Sequence, residues 1–212
     1  MKKIIILLLA LCAVALQAQN LDGGAAKLMN ELGLKYTNYS TIQIDYTLKS
    51  EKEKKVLSSH SGKMHIKGNK YYLTIPGQAF YCDGTTIWNY QKASNEISIY
   101  EYDETDDSFL NPAKMLANWK TEYRAQFIRE EVLNDKTLVL IDMTPIVQQS
   151  YYRIRLFIDK AKNDVVRFAV YEKDNTIHTY YFDKFLTNQP IDDSKFKLNT
   201  SDFPNAEIND MR

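Results

Sequence analysis

Apolar and polar residues alternate with a period of two along most of this chain. Ile42, Ile44, Tyr46 and Leu48 are separated by Gln43, Asp45 and Thr47, the spacing of a strand with one dry face and one wet face. Met64 and Ile66 repeat the pattern against Lys63, His65 and Lys67. Tyr71, Leu73 and Ile75 continue it until Pro76-Gly77 ends the run. Further short strands are predicted over 78–82, 86–91 and 96–102, the last carrying Ile97 and Ile99, and Asp83-Gly84 is a strong turn signal between two of them. The second half reads the same way over 138–143, 151–158, 165–172 and 176–182, with Asn, Asp and Lys turns between. Tyr152, Ile154, Leu156 and Ile158 share one face there, and Arg153 and Arg155 the other. About nine to eleven such meander strands cannot stay flat, because strand twist accumulates, so a barrel or open half-barrel with an apolar inner side is expected.

Two segments break the alternation. Leu21, Ala25, Leu28, Met29, Leu32 and Tyr36 fall on one stripe at helical spacing, predicting an amphipathic helix over about 22–36. A shorter helix follows Asn111, which fits the cap position, with Pro112 in its first turn and Met115, Leu116 and Trp119 along its apolar edge. Each is able to lie across an opening in the sheet, either as a plug of ordinary core or as a lid.

Composition agrees with strands, since 15 Tyr and 9 Phe accompany only 7 Gly and 5 Pro. At the N-terminus Lys2 and Lys3 precede an apolar run from Ile4 to Leu16 that ends in small residues before Asn20. This is the layout of a secretory signal peptide, expected over 1–19, with one domain over 20–212. The run is shorter than the roughly 20 residues a spanning helix needs. Cys12 lies inside it, but Leu11 stands where acylation of a lipoprotein cysteine needs a small residue, so no lipid anchor is expected. Removing this segment leaves Cys82 as the remaining thiol and no internal disulfide. About 190 residues still suffice for one core. The charge is close to balanced, 27 Lys and Arg against 27 Asp and Glu in the whole chain, which argues against nucleic acid as a partner.

Candidate chemistry is sparse. His60, His65 and His178 show neither metalloprotease nor H-x-H spacing, and Ser59-His60-Ser61-Gly62 is not a nucleophile elbow. The acidic run from Asp103 to Asp107 lacks the glycine and terminal glutamate of a calcium loop. No cofactor, metal site or enzyme activity is expected.

Several stretches together resemble the LolA family of periplasmic lipoprotein carriers. These are Ser61-Gly62-Lys63-Met64-His65-Ile66-Lys67, the strand from Tyr71 to Ile75, and Cys82-Asp83-Gly84-Thr85-Thr86-Ile87-Trp88-Asn89-Tyr90, joined by the N-terminal helix, the Pro-led helix, and a closing Phe196-Lys197-Leu198 with Phe203-Pro204. The resemblance implies a mainly β, single-domain, unclosed antiparallel barrel with an N-terminal helix and a short helical lid. It implies a periplasmic, monomeric carrier of acylated lipoproteins, taken from an inner-membrane ABC-type releasing transporter to an outer-membrane acceptor. The lining it implies is Leu28 and Leu32 from the first helix, Ile44, Tyr46, Met64 and Ile66 from the first two strands, and Tyr71, Leu73 and Ile75 from the third. Trp88, Ile97 and Ile99 from the next hairpin, with Met115, Leu116 and Trp119 from the lid, complete the expected set. One departure stands out: Lys67-Gly68-Asn69 occupies the place of the family's Lys-Arg-Pro, so the arginine implicated there in lid closure is missing. A lipid- or lipoprotein-sensing domain, a periplasmic relative that binds another apolar ligand, and an enzyme or structural protein on the same scaffold remain as alternatives.

Overall fold

The computed structural model describes residues 23–103 and 111–212. The expected signal peptide and most of the acidic run lie outside them. Helix α1 occupies 23–37. Six strands follow as a meander: β1 (Ile42–Lys52), β2 (Lys55–Lys67), β3 (Lys70–Ile75), β4 (Gln78–Cys82), β5 (Thr86–Gln91) and β6 (Glu96–Glu101). Two short helices, α2 (Pro112–Ala117) and α3 (Trp119–Glu122), precede a second meander. It comprises β7 (Tyr123–Leu133), β8 (Lys136–Pro145), β9 (Tyr151–Asp159), β10 (Asp164–Glu172) and β11 (Thr176–Thr187), and β12 (Glu207–Asp210) comes last.

All twelve strands form one sheet in the order β12-β6-β5-β4-β3-β2-β1-β11-β10-β9-β8-β7. Its ends, β12 and β7, are not bonded to each other, so the barrel is unclosed, as expected. Among the described strands only β12 runs parallel to its neighbour. The two meanders meet at β1, which pairs with β2 on one side and β11 on the other. Side chains from β1 to β3 and from β7 to β10 join α1 and α2 in a single buried cluster, which requires the sheet to curl around them.

The turns follow their chemistry. Glu53 and Lys54, and likewise Asn134 and Asp135, carry positive φ at both central positions, as type I′ hairpins demand. Gly68 has φ +58 in the two-residue β2–β3 turn, a value glycine adopts without a Cβ penalty.

Four strands depart from the sequence pattern. β2 begins at Lys55 rather than near Lys63, β11 continues to Thr187, and β7 and β12 were not expected at all. β7 is an edge strand, with Arg124, Arg129, Glu130 and Glu131 along it, and its alternation is disturbed where the register shifts between Phe127 and Arg129. The outer face is also less wet than anticipated. Leu138, Leu140, Phe157 and Ala169 form a second cluster there, roofed by Arg167 at 3.7 Å from the Phe157 ring centroid. Arg155 and Arg153 reach Asp142 at 2.6 and 3.2 Å, so the arginines cover apolar surface with their stems while their charges are paired.

Candidate functional site

The inner face is built by rows of opposed residues. Ile44 faces Phe185, Tyr46 faces Phe182, and Leu48 faces Tyr180 across the β1–β11 seam. Phe168 of β10 stands opposite Tyr180 in the next row. The rings run into one another: Phe168 stacks on Tyr180 at 4.5 Å, Phe182 on Phe185 at 6.1 Å, and Phe185 meets Tyr36 at 5.8 Å and Tyr39 at 6.3 Å. Phe168, Tyr180, Phe182, Phe185 and Tyr39 are each only partly buried. They form a lane of apolar surface that the fold leaves in part uncovered.

This lane carries no charge. Burial pushes the Tyr180 phenol up to about 12, with Glu172 adding to the shift, and burial raises Tyr46 and Tyr36 still further. A raised phenol stays neutral throughout ordinary pH. The Tyr36 hydroxyl accepts from the Val165 amide at 3.2 Å.

At the α1 end Tyr36 and Tyr39, which meet Phe185, border a cavity of about 630 Å³, within the range of small-ligand sites. Ile42, Ile66, Ala113 and Ala117 supply its apolar walls; Thr37, Asn69, Lys114 and Glu122 are among the polar residues around it. That combination suits an amphiphile with an apolar body and a polar end.

The helices are fastened across this opening at several points. Lys35 of α1 reaches Asp164 at 2.6 Å and the Lys162 carbonyl at 2.8 Å, both at the β9–β10 turn. Trp119 Nε1 donates to Asn30 at 3.3 Å, and a Cβ at Gly33 would stand 2.7 Å from the Leu116 carbonyl oxygen, so α1 and α2 approach as closely as glycine allows. Asn111 caps α2, its Oδ1 accepting from the Ala113 and Lys114 amides at 3.1 and 3.3 Å. Its Nδ2 donates to the Gly68 carbonyl at 3.3 Å. The β2–β3 hairpin is therefore tied to α2 through its backbone.

Of the expected lining, Ile66 borders that cavity, and most of the set gathers in the packed inner cluster. Leu32, Ile44, Tyr46, Met64, Ile66, Tyr71, Leu73, Met115, Leu116 and Trp119 are buried in the inner cluster, with Leu28 and Ile75 partly buried against it. These residues pack against one another, and the partly open surface belongs instead to the β10 and β11 aromatics, which sequence reading passed over. Trp88, Ile97 and Ile99 require a correction. The pairings Tyr71↔Cys82 and Cys82↔Ile87 keep Ile87 on the inner face, which sends Trp88 outward. There it joins Ile97, Ile99 and Leu198 in a separate cluster, with Phe203 packed against it. The C-terminal segment covers this patch, held by Asp193 bridging Lys67 at 2.7 Å and Lys70 at 2.6 Å.

Other candidates are placed plainly. His178 faces inward and meets the Ser50 hydroxyl at 2.8 Å, while His65 lies on the outer face beside Tyr72, with ring centroids 5.7 Å apart. Cys82 is buried, its thiol directed at the Asn69 carbonyl at 3.5 Å. Among the described residues no three His, Cys, Asp or Glu side chains gather as a metal site, and no helix is long and apolar enough to cross a membrane.

The family model described as outer membrane lipoprotein carrier protein LolA matches residues 37–199. No curated protein matches the chain in sequence. Among solved structures, an uncharacterized conserved protein from Thermus thermophilus superposes with TM-score 0.57 at 10% identity, over 87% of this chain and 98% of that one. A putative outer membrane lipoprotein-sorting protein domain from Vibrio parahaemolyticus gives TM-score 0.44 at 9% identity, over 83% and 97%. A LolA superfamily protein from Nitrosomonas europaea gives 0.41 at 12%, over 82% and 97%. At that looser superposition the last two add nothing to the fold assignment.

Proposed function

The chain belongs to the outer membrane lipoprotein carrier protein family, LolA, and from that premise we propose that it carries the acyl chains of lipoproteins between membranes outside the cytoplasm. The observation that supports this reading is the uncharged lane of Phe168, Tyr180, Phe182 and Phe185, partly exposed on the inner face, whose Phe185 packs on Tyr36 and Tyr39 in the wall of the cavity between α1 and α2. An acyl chain of roughly 16 carbons gains on the order of 12 kcal/mol on leaving water, so it does not cross an aqueous compartment bare. The carrier shelters it without holding it more tightly than the receiving membrane does. Partly open aromatic surface serves that better than a dry, fully packed core.

In this reading residues 1–19 are the signal peptide, 20–212 the carrier domain, and the protein acts as a monomer. Cargo arrives from an inner-membrane ABC-type releasing transporter and leaves to an outer-membrane acceptor. The ligand is an acyl chain, not a substrate to be turned over.

The test is displacement of an environment-sensitive apolar dye from the mature protein. An acylated peptide is expected to displace it and the same peptide without its acyl group is not. Equal displacement by both would mean that the site reads polypeptide, and the carrier reading would fall.

A further inference from the structure

β2 is thirteen residues long and pairs with β1 from Ile66 back to Lys55, but β3 accompanies it only from Lys67 to Met64. The Lys63 amide goes to Thr74 Oγ1 at 2.9 Å. Before Gly62, which the Thr74 carbonyl still approaches, no strand among the described residues pairs with the far side of β2. Sheets normally blunt such edges with charge, proline or shortness, and the two ends of this sheet obey. β12 has four residues, and β7 carries the Arg129–Glu131 pair at 2.9 Å with Glu130 held by Lys160 at 2.7 Å.

The internal edge is unguarded. Leu57 is the extra residue of a bulge near the tip, since Ser50 faces Ser58 while Glu51 faces Val56. Beyond it Ser58-Ser59-His60-Ser61-Gly62 runs with regular register, without proline or charge, and with small side chains at four of five positions. No acidic residue occurs from Lys55 to Lys67. The edge also sits beside the lane. His60 faces Leu48 and Leu48 faces Tyr180, so two strand spacings, about 10 Å, separate it from the lane's rings.

We infer that this edge of β2 receives, as an added strand, the extended polypeptide that follows the acylated residue of a lipoprotein cargo. The inference rests on the carrier reading above. With its acyl chain in the lane, the attached polypeptide crosses three strand spacings, about 14 Å, which about four to five extended residues span, to lie beside Ser58–Gly62. Main-chain hydrogen bonds then hold it without regard to sequence, which suits a carrier of more than one cargo. Lys55 and Lys63 at either end favour neutral or acidic segments over basic ones.

The experiment uses an N-terminally palmitoylated ten-residue peptide of Ser, Gly and Asp, with two further versions N-methylated on alternate residues in either register. Only alternate amides of an added strand point at β2. One methylated register is therefore expected to bind at least tenfold more weakly and the other like the parent. Ser59→Pro and Ser61→Pro each remove an outward amide, since both residues share the parity of Lys63, whose amide points toward β3, and each should reproduce the loss while leaving the affinity for free palmitate unchanged. Equal binding of all three peptides, or equal loss in both registers, overturns strand addition while the carrier reading stands. Failure of free palmitate itself to bind overturns both.

Discussion

The side-chain amide of Asn111 donates to the carbonyl oxygen of Gly68 while its Oδ1 caps the helix that begins one residue later. One residue thus serves the β2–β3 hairpin and the lid, and two substitutions separate the roles. Asn111→Ala removes both, and a lost cap costs about 1 kcal/mol, read in urea unfolding. Asn111→Asp keeps the cap acceptor but turns an oxygen toward the Gly68 carbonyl. It should retain most of the stability yet release the apolar dye several-fold faster in stopped flow. Wild-type release from Asn111→Asp would mean that the tether does not hold the lid.

Gly62 owes its place to a neighbour that the sequence pattern does not reveal. The Tyr46 ring lies across it and the Tyr46 hydroxyl donates to the Thr74 carbonyl. A Cβ at Gly62 would overlap that ring and stand 2.6 Å from the same carbonyl oxygen. Gly62→Ala is expected to cost about 1–3 kcal/mol as an overpacked site. Combined with Tyr46→Leu, the loss should be less than the sum of the two single changes. Strict additivity in that double-mutant cycle would contradict the contact.

Lane and core respond differently to charge. Leu73 is 4% exposed, opposite Met64 and Phe80, so Leu73→Glu buries an unpaired carboxylate at a cost of several kcal/mol and should unfold the protein. Thr74→Glu, on the other face, should spare the fold more. Phe182→Glu meets partly open surface, where water reaches the carboxylate. Circular dichroism should show it folded, with dye affinity down at least tenfold, about 1.4 kcal/mol. A folded Phe182→Glu protein that binds dye normally would place the ligand elsewhere.

Acid should loosen the C-terminal segment. Hydrogen bonds from Lys67 and Lys70 hold the Asp193 carboxyl at about 2, below its ordinary 3.8. A carboxylate depressed in the folded state contributes fully above its unfolded value, and that contribution is lost as pH falls from about 4 toward 2. Trp88 lies under this segment. In a Trp119→Phe background its emission should shift to the red over that window, and Asp193→Asn should produce part of the shift at neutral pH. A pH-independent spectrum would exclude the bridge as the fastening.

Export makes a further prediction from Lys2, Lys3 and the run from Ile4 to Leu16. The mature chain should begin near Gln19 or Asn20 without an acyl group. An intact mass matching a lipidated Cys12 start would overturn it.

The strands were legible because their alternation is clean, but alternation says which residues share a face without saying which face is inside. Trp88, Ile97 and Ile99 do share one. Parity carried through the β3, β4 and β5 pairings turns it outward, and the hint lay in Leu198 and Phe203, apolar residues that needed a surface of their own. The lane was hidden for a different reason. The register shift between Asp45 and Tyr46 leaves Asp183 as an extra residue, so Phe182 and Phe185 reach the same face three residues apart, which breaks the period of two. The resemblance to the carrier family identified the fold but could not tell a packed Leu73 from a half-open Phe168.

β1 has two partners that become available at very different times. It can zip onto β2 across a two-residue turn, whereas its other side waits for β11, 176–187, with Ile42 opposite Thr187. Until that late strand arrives, the two meanders have no seam and the shared interior cannot close. Such distant pairing is slow to form, so the two halves stay unjoined until the seam closes, and assembly of the vessel becomes the last event of folding.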